Sequence, residues 1–135
     1  MLGKQIGSLT AECINKALPS HGAGMPLIET TAQGQGALAG ASVNTFATYH
    51  AEMRGDGTFY GECPNSGVVM APDGTATFRA SGIGKPTDDG GFSFRGAVYF
   101  EALAPSLASL NGVAHMYQWD VDASGHATWK IWACE

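Results

Sequence analysis

Positive charge is scarce in this chain. Its 135 residues hold seven lysines and arginines against twelve aspartates and glutamates, a formal net charge of −5. Lys4, Lys16, Arg54, Arg79, Lys85, Arg95 and Lys130 are scattered along the sequence. No basic stripe exists to track a phosphate backbone, which argues against nucleic acid as a partner, and the same scatter argues against an anionic membrane surface. Apolar runs of membrane-spanning length are missing. The opening residues, Met1-Leu2-Gly3-Lys4-Gln5-Ile6-Gly7, lack the apolar core of a secretory signal. A cytoplasmic protein is the expectation.

Cysteine is rare and odd in number. Cys13, Cys63 and Cys134 show no CxxC or CxxH spacing, so neither a disulfide framework nor a structural zinc site is expected, and buried free thiols are. His21, His50, His115 and His126 form no HxH or HxxxH pair, and no metal site is expected. Nucleotide motifs fail as well. The glycines around Gly34-Gln35-Gly36 have no βαβ unit about them. Gly84-Lys85-Pro86-Thr87 lacks the upstream glycine of a phosphate loop and carries a proline where that loop must bend. No G-x-S-x-G elbow occurs, and no cofactor is expected. Helical patterning is confined to residues 104–111, which Asn111-Gly112 would end. Without helices to cross over, parallel strands are excluded.

What the chain does have is glycine, 19 residues of it, and an apolar fraction of 44%, which suits a folded domain rather than a disordered chain. Short alternating segments are separated by turn signals: Gly55-Asp56-Gly57, Pro72-Asp73-Gly74, Asp88-Asp89-Gly90-Gly91 and Asp122-Ala123-Ser124-Gly125. Asp-Gly pairs supply the positive φ of tight hairpins, and Pro presets the first turn position. Strands are expected at about 3–14, 27–36, 39–54, 57–63, 67–71, 74–83, 91–103 and 112–134. The last span is a hairpin of two strands, and the 57–63 and 67–71 runs are readable as one interrupted strand. The reading is a single all-β domain, residues 1–135, forming a closed antiparallel barrel of about eight strands. Closure removes exposed edges in a chain with few charged edge guards, and it buries an apolar inner face without covering helices.

Alternation assigns the faces. Phe92, Phe94, Val98 and Phe100 are expected inside. So are Val113, His115, Tyr117, Trp119 and Val121, and Ala127, Trp129, Ile131 and Ala133. Across the Pro72-Asp73-Gly74 turn, Val68, Met70, Ala76, Phe78 and Ala80 fit one inner face. The hairpin around residue 56 is ambiguous. A two-residue loop puts Tyr49, Ala51 and Met53 on one face with Tyr60 and Glu62; a three-residue loop reverses this and sets His50 beside Glu62.

Three segments, Ala47-Thr48-Tyr49-His50-Ala51-Glu52-Met53-Arg54, Gly57-Thr58-Phe59-Tyr60-Gly61-Glu62 and Leu110-Asn111-Gly112-Val113, resemble small bacterial barrel proteins of unknown function described as lipocalin-like (calycin) or allene-oxide-cyclase-like. The resemblance spans roughly residues 34–132. It implies a barrel with a lumen, and by analogy with plant allene oxide cyclases and dirigent proteins it implies guidance of small apolar substrates.

On the two-residue register the ionisable inner residues are Glu62 and His115. A carboxylate withdrawn from water has a raised pKa and can act as acid or base, with histidine as its partner. The candidate catalytic pair is therefore Glu62 and His115, and the candidate ligand contacts are Tyr49, Tyr60, Tyr117, Trp119 and Phe100. The expected partner is a small hydrophobic molecule, and self-association into a homo-oligomer stays open. Three functions follow: a cofactor-independent isomerase, cyclase or lyase; a non-catalytic binder of a hydrophobic ligand; or a filled, structural barrel. The state of the lumen separates them.

Overall fold

The computed structural model describes residues 2–20 and 24–134; His21 lies outside them. Eight strands run in chain order, each pairing antiparallel with the next: β1 (Leu2–Leu18), β2 (Leu27–Leu38), β3 (Ala41–Met53), β4 (Phe59–Ala71), β5 (Gly74–Pro86), β6 (Phe92–Ala102), β7 (His115–Val121) and β8 (His126–Cys134). β8 pairs back onto β1 and closes the barrel. The helical segment expected near 104–111 is a 3₁₀ helix, Pro105–Leu110.

The 57–63 and 67–71 runs are one strand, interrupted by a bulge. Cys63 pairs with Ala80 and Gly67 with Phe78, so Pro64, Asn65 and Ser66 of β4 oppose the single residue Arg79 of β5. Pro64 has no N–H to give a ladder. Asn65 takes φ 58°, and the Ser66 hydroxyl donates to the Thr48 carbonyl at 2.6 Å. The bulge adds two residues, an even number, so the faces of β4 stay in phase. Phe59, Gly61, Cys63, Gly67 and Val69 all point inward and are buried.

Two face expectations are corrected here. Pro72-Asp73 is a two-residue loop closed by the Ala71–Gly74 pair, which sets Val69, not Val68 or Met70, on the face of Ala76, Phe78 and Ala80. Val69 is fully buried, while Met70 is 43% exposed. At the other end of β4, Arg54 N–H donates to the Thr58 carbonyl at 2.7 Å and encloses a three-residue loop, Gly55-Asp56-Gly57. Gly57 supplies the left-handed residue, φ 85°, that such a loop needs. The Asp56 carboxylate caps the turn by accepting from the Thr58 N–H and hydroxyl at 3.0 and 2.6 Å. The extra loop residue reverses the phase: His50 pairs with Glu62 and Glu52 with Tyr60.

One end of the barrel is closed. The 3₁₀ helix lies across it, with Ala104, Leu107 and Leu110 buried. Asn111 ties the cap down by bonding both ways to the Ala102 backbone, accepting from its N–H at 2.7 Å and donating to its carbonyl at 3.0 Å. The Asp73 carboxylate accepts from the Ser106 N–H and hydroxyl at 2.8 and 2.7 Å. Beneath the cap pack Leu9, Leu38, Val43, Val69, Val98 and Ile131, followed by Phe78, Phe100 and Trp129. The opposite end is aromatic on one side, with Phe59 and Phe92 edge to face at 5.2 Å. On the other side it is lined by Ala11, Ala32 and Ala127.

Candidate functional site

Between the capped core and the far end lies a void of about 70 Å³, lined chiefly by Ala47, Tyr49, Cys63, Phe78, Ala80, Phe94, Tyr117, Trp119 and Trp129. Beside it runs a row of small residues that seats two of the lining rings. Gly61, Gly82 and Gly96 are successive register partners on β4, β5 and β6, with Ala51 before them and Tyr117 after. Three inward positions without side chains leave a trough across the wall. The Tyr117 ring crosses it, and a Cβ on Gly82 would collide with the Tyr117 hydroxyl. Phe94 occupies the remaining depth, and a Cβ on Gly61 would stand 3.0 Å from Phe94 Cε1. This is close backbone approach enabled by glycine.

The aromatic lining is ordered edge to face. Tyr49 meets Phe94 at 6.2 Å and Trp119 at 6.1 Å, and Trp119 meets Trp129 at 6.2 Å. Trp119 Nε1–H donates to the Tyr49 hydroxyl at 3.1 Å. Burial pushes the Tyr49 phenol up to about 12, with the Trp119 bond opposing the shift. Burial raises Tyr117 further. Both stay protonated donors through the physiological range.

No aspartate, glutamate, lysine or arginine of the described strands faces inward. Glu62 is the correction that matters most. It stands on the outer wall, where its carboxylate accepts from the Tyr60 hydroxyl at 3.1 Å, and this bond raises the Tyr60 pKa. Glu62 is among the residues bordering the void, with its carboxylate engaged by Tyr60. Tyr60 stands on the outer wall too. The physical cause is the three-residue turn described above.

His115 points inward as expected and is 2% exposed, but it sits under the cap, away from the void, with its ring against Phe100 at 5.4 Å. Its Nδ1 has no hydrogen-bond partner, and burial lowers its pKa. Phe100 is buried core between Phe78, Trp129 and His115 and does not line the void. Tyr49, Tyr117 and Trp119 do line it. Phe94 and the glycine row were missed as site features. Gly82 and Gly96 carry no signal of their own until strand register places them side by side.

The three cysteines are free, with Cys63 buried, Cys13 half-buried and Cys134 exposed. Burial raises the thiols of Cys13, to about 11, and of Cys63, which makes both poor nucleophiles. Among the described residues no cluster of histidine, cysteine, aspartate or glutamate is arranged to hold a metal ion. No described helix is long and apolar enough to cross a membrane.

No family model matches the chain, and no curated protein matches it. Among solved structures it is similar to the crystal structure of RPA1785, a conserved protein of unknown function from Rhodopseudomonas palustris, with a TM-score of 0.78. The two share 16% sequence identity over 98% of this chain and 97% of that one, so what they share is the whole eight-stranded barrel.

Proposed function

We propose that this protein is a non-catalytic binder that holds one small, neutral, largely apolar molecule in its lumen. The carrying observation is the void of about 70 Å³ among Tyr49, Phe94, Tyr117 and Trp119, with no charged side chain turned toward it. Burying apolar ligand surface there is favourable, whereas an ion would enter unpaired. The size sets a limit, because an apolar cavity of about 150 Å³ accommodates benzene. A molecule smaller than benzene suits the resting geometry. The isomerase, cyclase or lyase reading needs an acid and a base at one cavity, and Glu62 outside the wall and His115 under the cap do not supply them.

The test is nuclear magnetic resonance of the three indole N–H signals under xenon, a probe of apolar cavities. Trp119 and Trp129 line the void, while Trp132 belongs to the outward set of β8. Saturable shifts at Trp119 and Trp129 that spare Trp132 support binding in the lumen. Shifts that do not saturate, or that are as large at Trp132, replace this reading with a filled, structural barrel.

A further inference from the structure

Resting on the lumen reading, we infer that the hydrogen bond from Trp119 to Tyr49 is a latch across the barrel, and that the void fills from the open end when the indole releases Tyr49 and swings over the alanine side. Tyr49 stands on β3 and Trp119 on β7. In the closed ring of strands these two are equally far apart by either route, so they face each other across the full width of the lumen. Their side chains nevertheless meet, indole N–H to hydroxyl at 3.1 Å and ring to ring, edge on, at 6.1 Å. The bar they form lies between the void and the open end. Both residues line the void. Trp119 packs against the capped core beneath it and also against both clusters at the open end, the alanines on one side and Phe59, Phe92 and Phe94 on the other.

The two halves of the bar are unequally held. Tyr49 is braced from β2 by Thr30, its register partner, whose hydroxyl stands by the phenol. Thr30 is buried, and its hydroxyl donates at 2.7 Å to Oδ1 of Asn15, the next register partner on β1. The indole has one N–H to give, and it is given to Tyr49. The moving half is therefore Trp119. Ala11, Ala32 and Ala127 beside it carry only methyl groups, and small side chains leave a ring the space to turn. The opposite end offers no route, because the 3₁₀ helix seals it with Leu107 and Leu110 buried. Opening of this kind is a gating step, which sets how fast a ligand enters and leaves.

The probe is xenon, and the reading is its rate of entry and exit, by exchange magnetic resonance, in the wild type, Tyr49→Phe, Ala127→Val and Tyr60→Phe. Tyr49→Phe keeps both rings and unhooks the indole, so entry and exit should both quicken, by about 3–10-fold, the weight of one neutral hydrogen bond. Entry is the diagnostic rate, because loss of a mere lining contact acts on exit. Ala127→Val fills the space the indole turns into and should slow both rates. Tyr60→Phe, on the outer wall, should alter neither. Unchanged entry in Tyr49→Phe, or unslowed exchange in Ala127→Val, overturns the latch while leaving the lumen a binding site. Ala127→Val decides alone if Tyr49→Phe does not fold. A wild type that takes up no xenon saturably removes the lumen reading itself. The latch then still has a readout without a ligand, the exchange of indole N–H for deuterium from solvent. Exchange at Trp119 should quicken in Tyr49→Phe while exchange at Trp129 does not, and an equal change at both overturns the latch.

Discussion

Phe78 lies over Gly67, its register partner across the β4–β5 ladder, so closely that a Cβ on Gly67 would collide with three atoms of the ring. Phe94 covers its own partner Gly84 in the same way. An eight-stranded barrel has room inside for side chains and little else. Pairing these two rings with bare backbone positions makes room for them in that space.

Gly67→Ala should therefore destabilise the fold by about 1–3 kcal/mol, the cost of overpacking. Phe78→Leu in the same chain should recover part of the loss, because the ring is the obstacle. Urea unfolding of the four variants of this cycle measures both effects. Simple addition of the two single losses would mean that Gly67 is needed for its backbone and not for the space it leaves.

Phe100→Ala should cost about 3–5 kcal/mol. The ring is 7% exposed and packs against Phe78, Trp129 and His115. Tyr60→Phe, on the outer wall, should change stability by less than about 0.5 kcal/mol. Equal costs for the two would contradict the opposite placement of these residues.

The strands of this barrel are legible in the sequence because turn chemistry is local. Asp-Gly and Pro-Asp-Gly announce their turns, and the alternation of Phe92, Phe94, Val98 and Phe100, or of Trp129 and Ile131, reads directly as burial. The site is less legible because it depends on registers. Whether Glu62 faces in or out turns on one loop residue: with three residues in the turn, His50 and Glu62 share the outer wall. The bulge at Pro64-Asn65-Ser66 keeps β4 in phase only because it adds an even number of residues. The trough at Gly61, Gly82 and Gly96 requires three registers at once. The inward faces of Tyr117 and Trp119 are legible from alternation in one strand alone, whereas that of Tyr49 depends, like that of Glu62, on the hairpin register.

His115 should make stability fall in mild acid. Its ordinary pKa is 6.5, and burial lowers it in the folded protein. Below pH 6.5 the unfolded chain takes up the proton first, so stability is complete above 6.5 and is lost as pH falls toward the folded value. The loss grows by about 1.4 kcal/mol for each unit between the two. His126 has the opposite sign. Its hydrogen bond with Glu12, 2.8 Å long, raises its pKa, so its contribution is present below 6.5 and is lost as pH rises through the folded value. Chemical denaturation across this range should show that His115→Gln flattens the acid loss and His126→Asn does not. Wild-type-like acid loss in His115→Gln would assign the effect elsewhere.

Tyr49 and Trp119 should behave as one unit. Tyr49→Phe keeps the ring contacts with Phe94 and Trp119 but removes the acceptor of the indole N–H. A buried donor without a partner costs about 1–3 kcal/mol. Trp119→Phe removes the donor, so the double variant no longer contains that orphan and should lose less than the two single losses together. The same pair sets an alkaline limit. The phenol's ordinary pKa is 10, and burial raises it to about 12. Between those values the unfolded chain releases the Tyr49 proton while the folded chain keeps it, so stability declines as pH rises through that window. Tyr117, also raised by burial, adds to the decline. Tyr49→Phe should make the decline shallower, and a slope unchanged from the wild type would mean that Tyr49 reaches water in the folded protein.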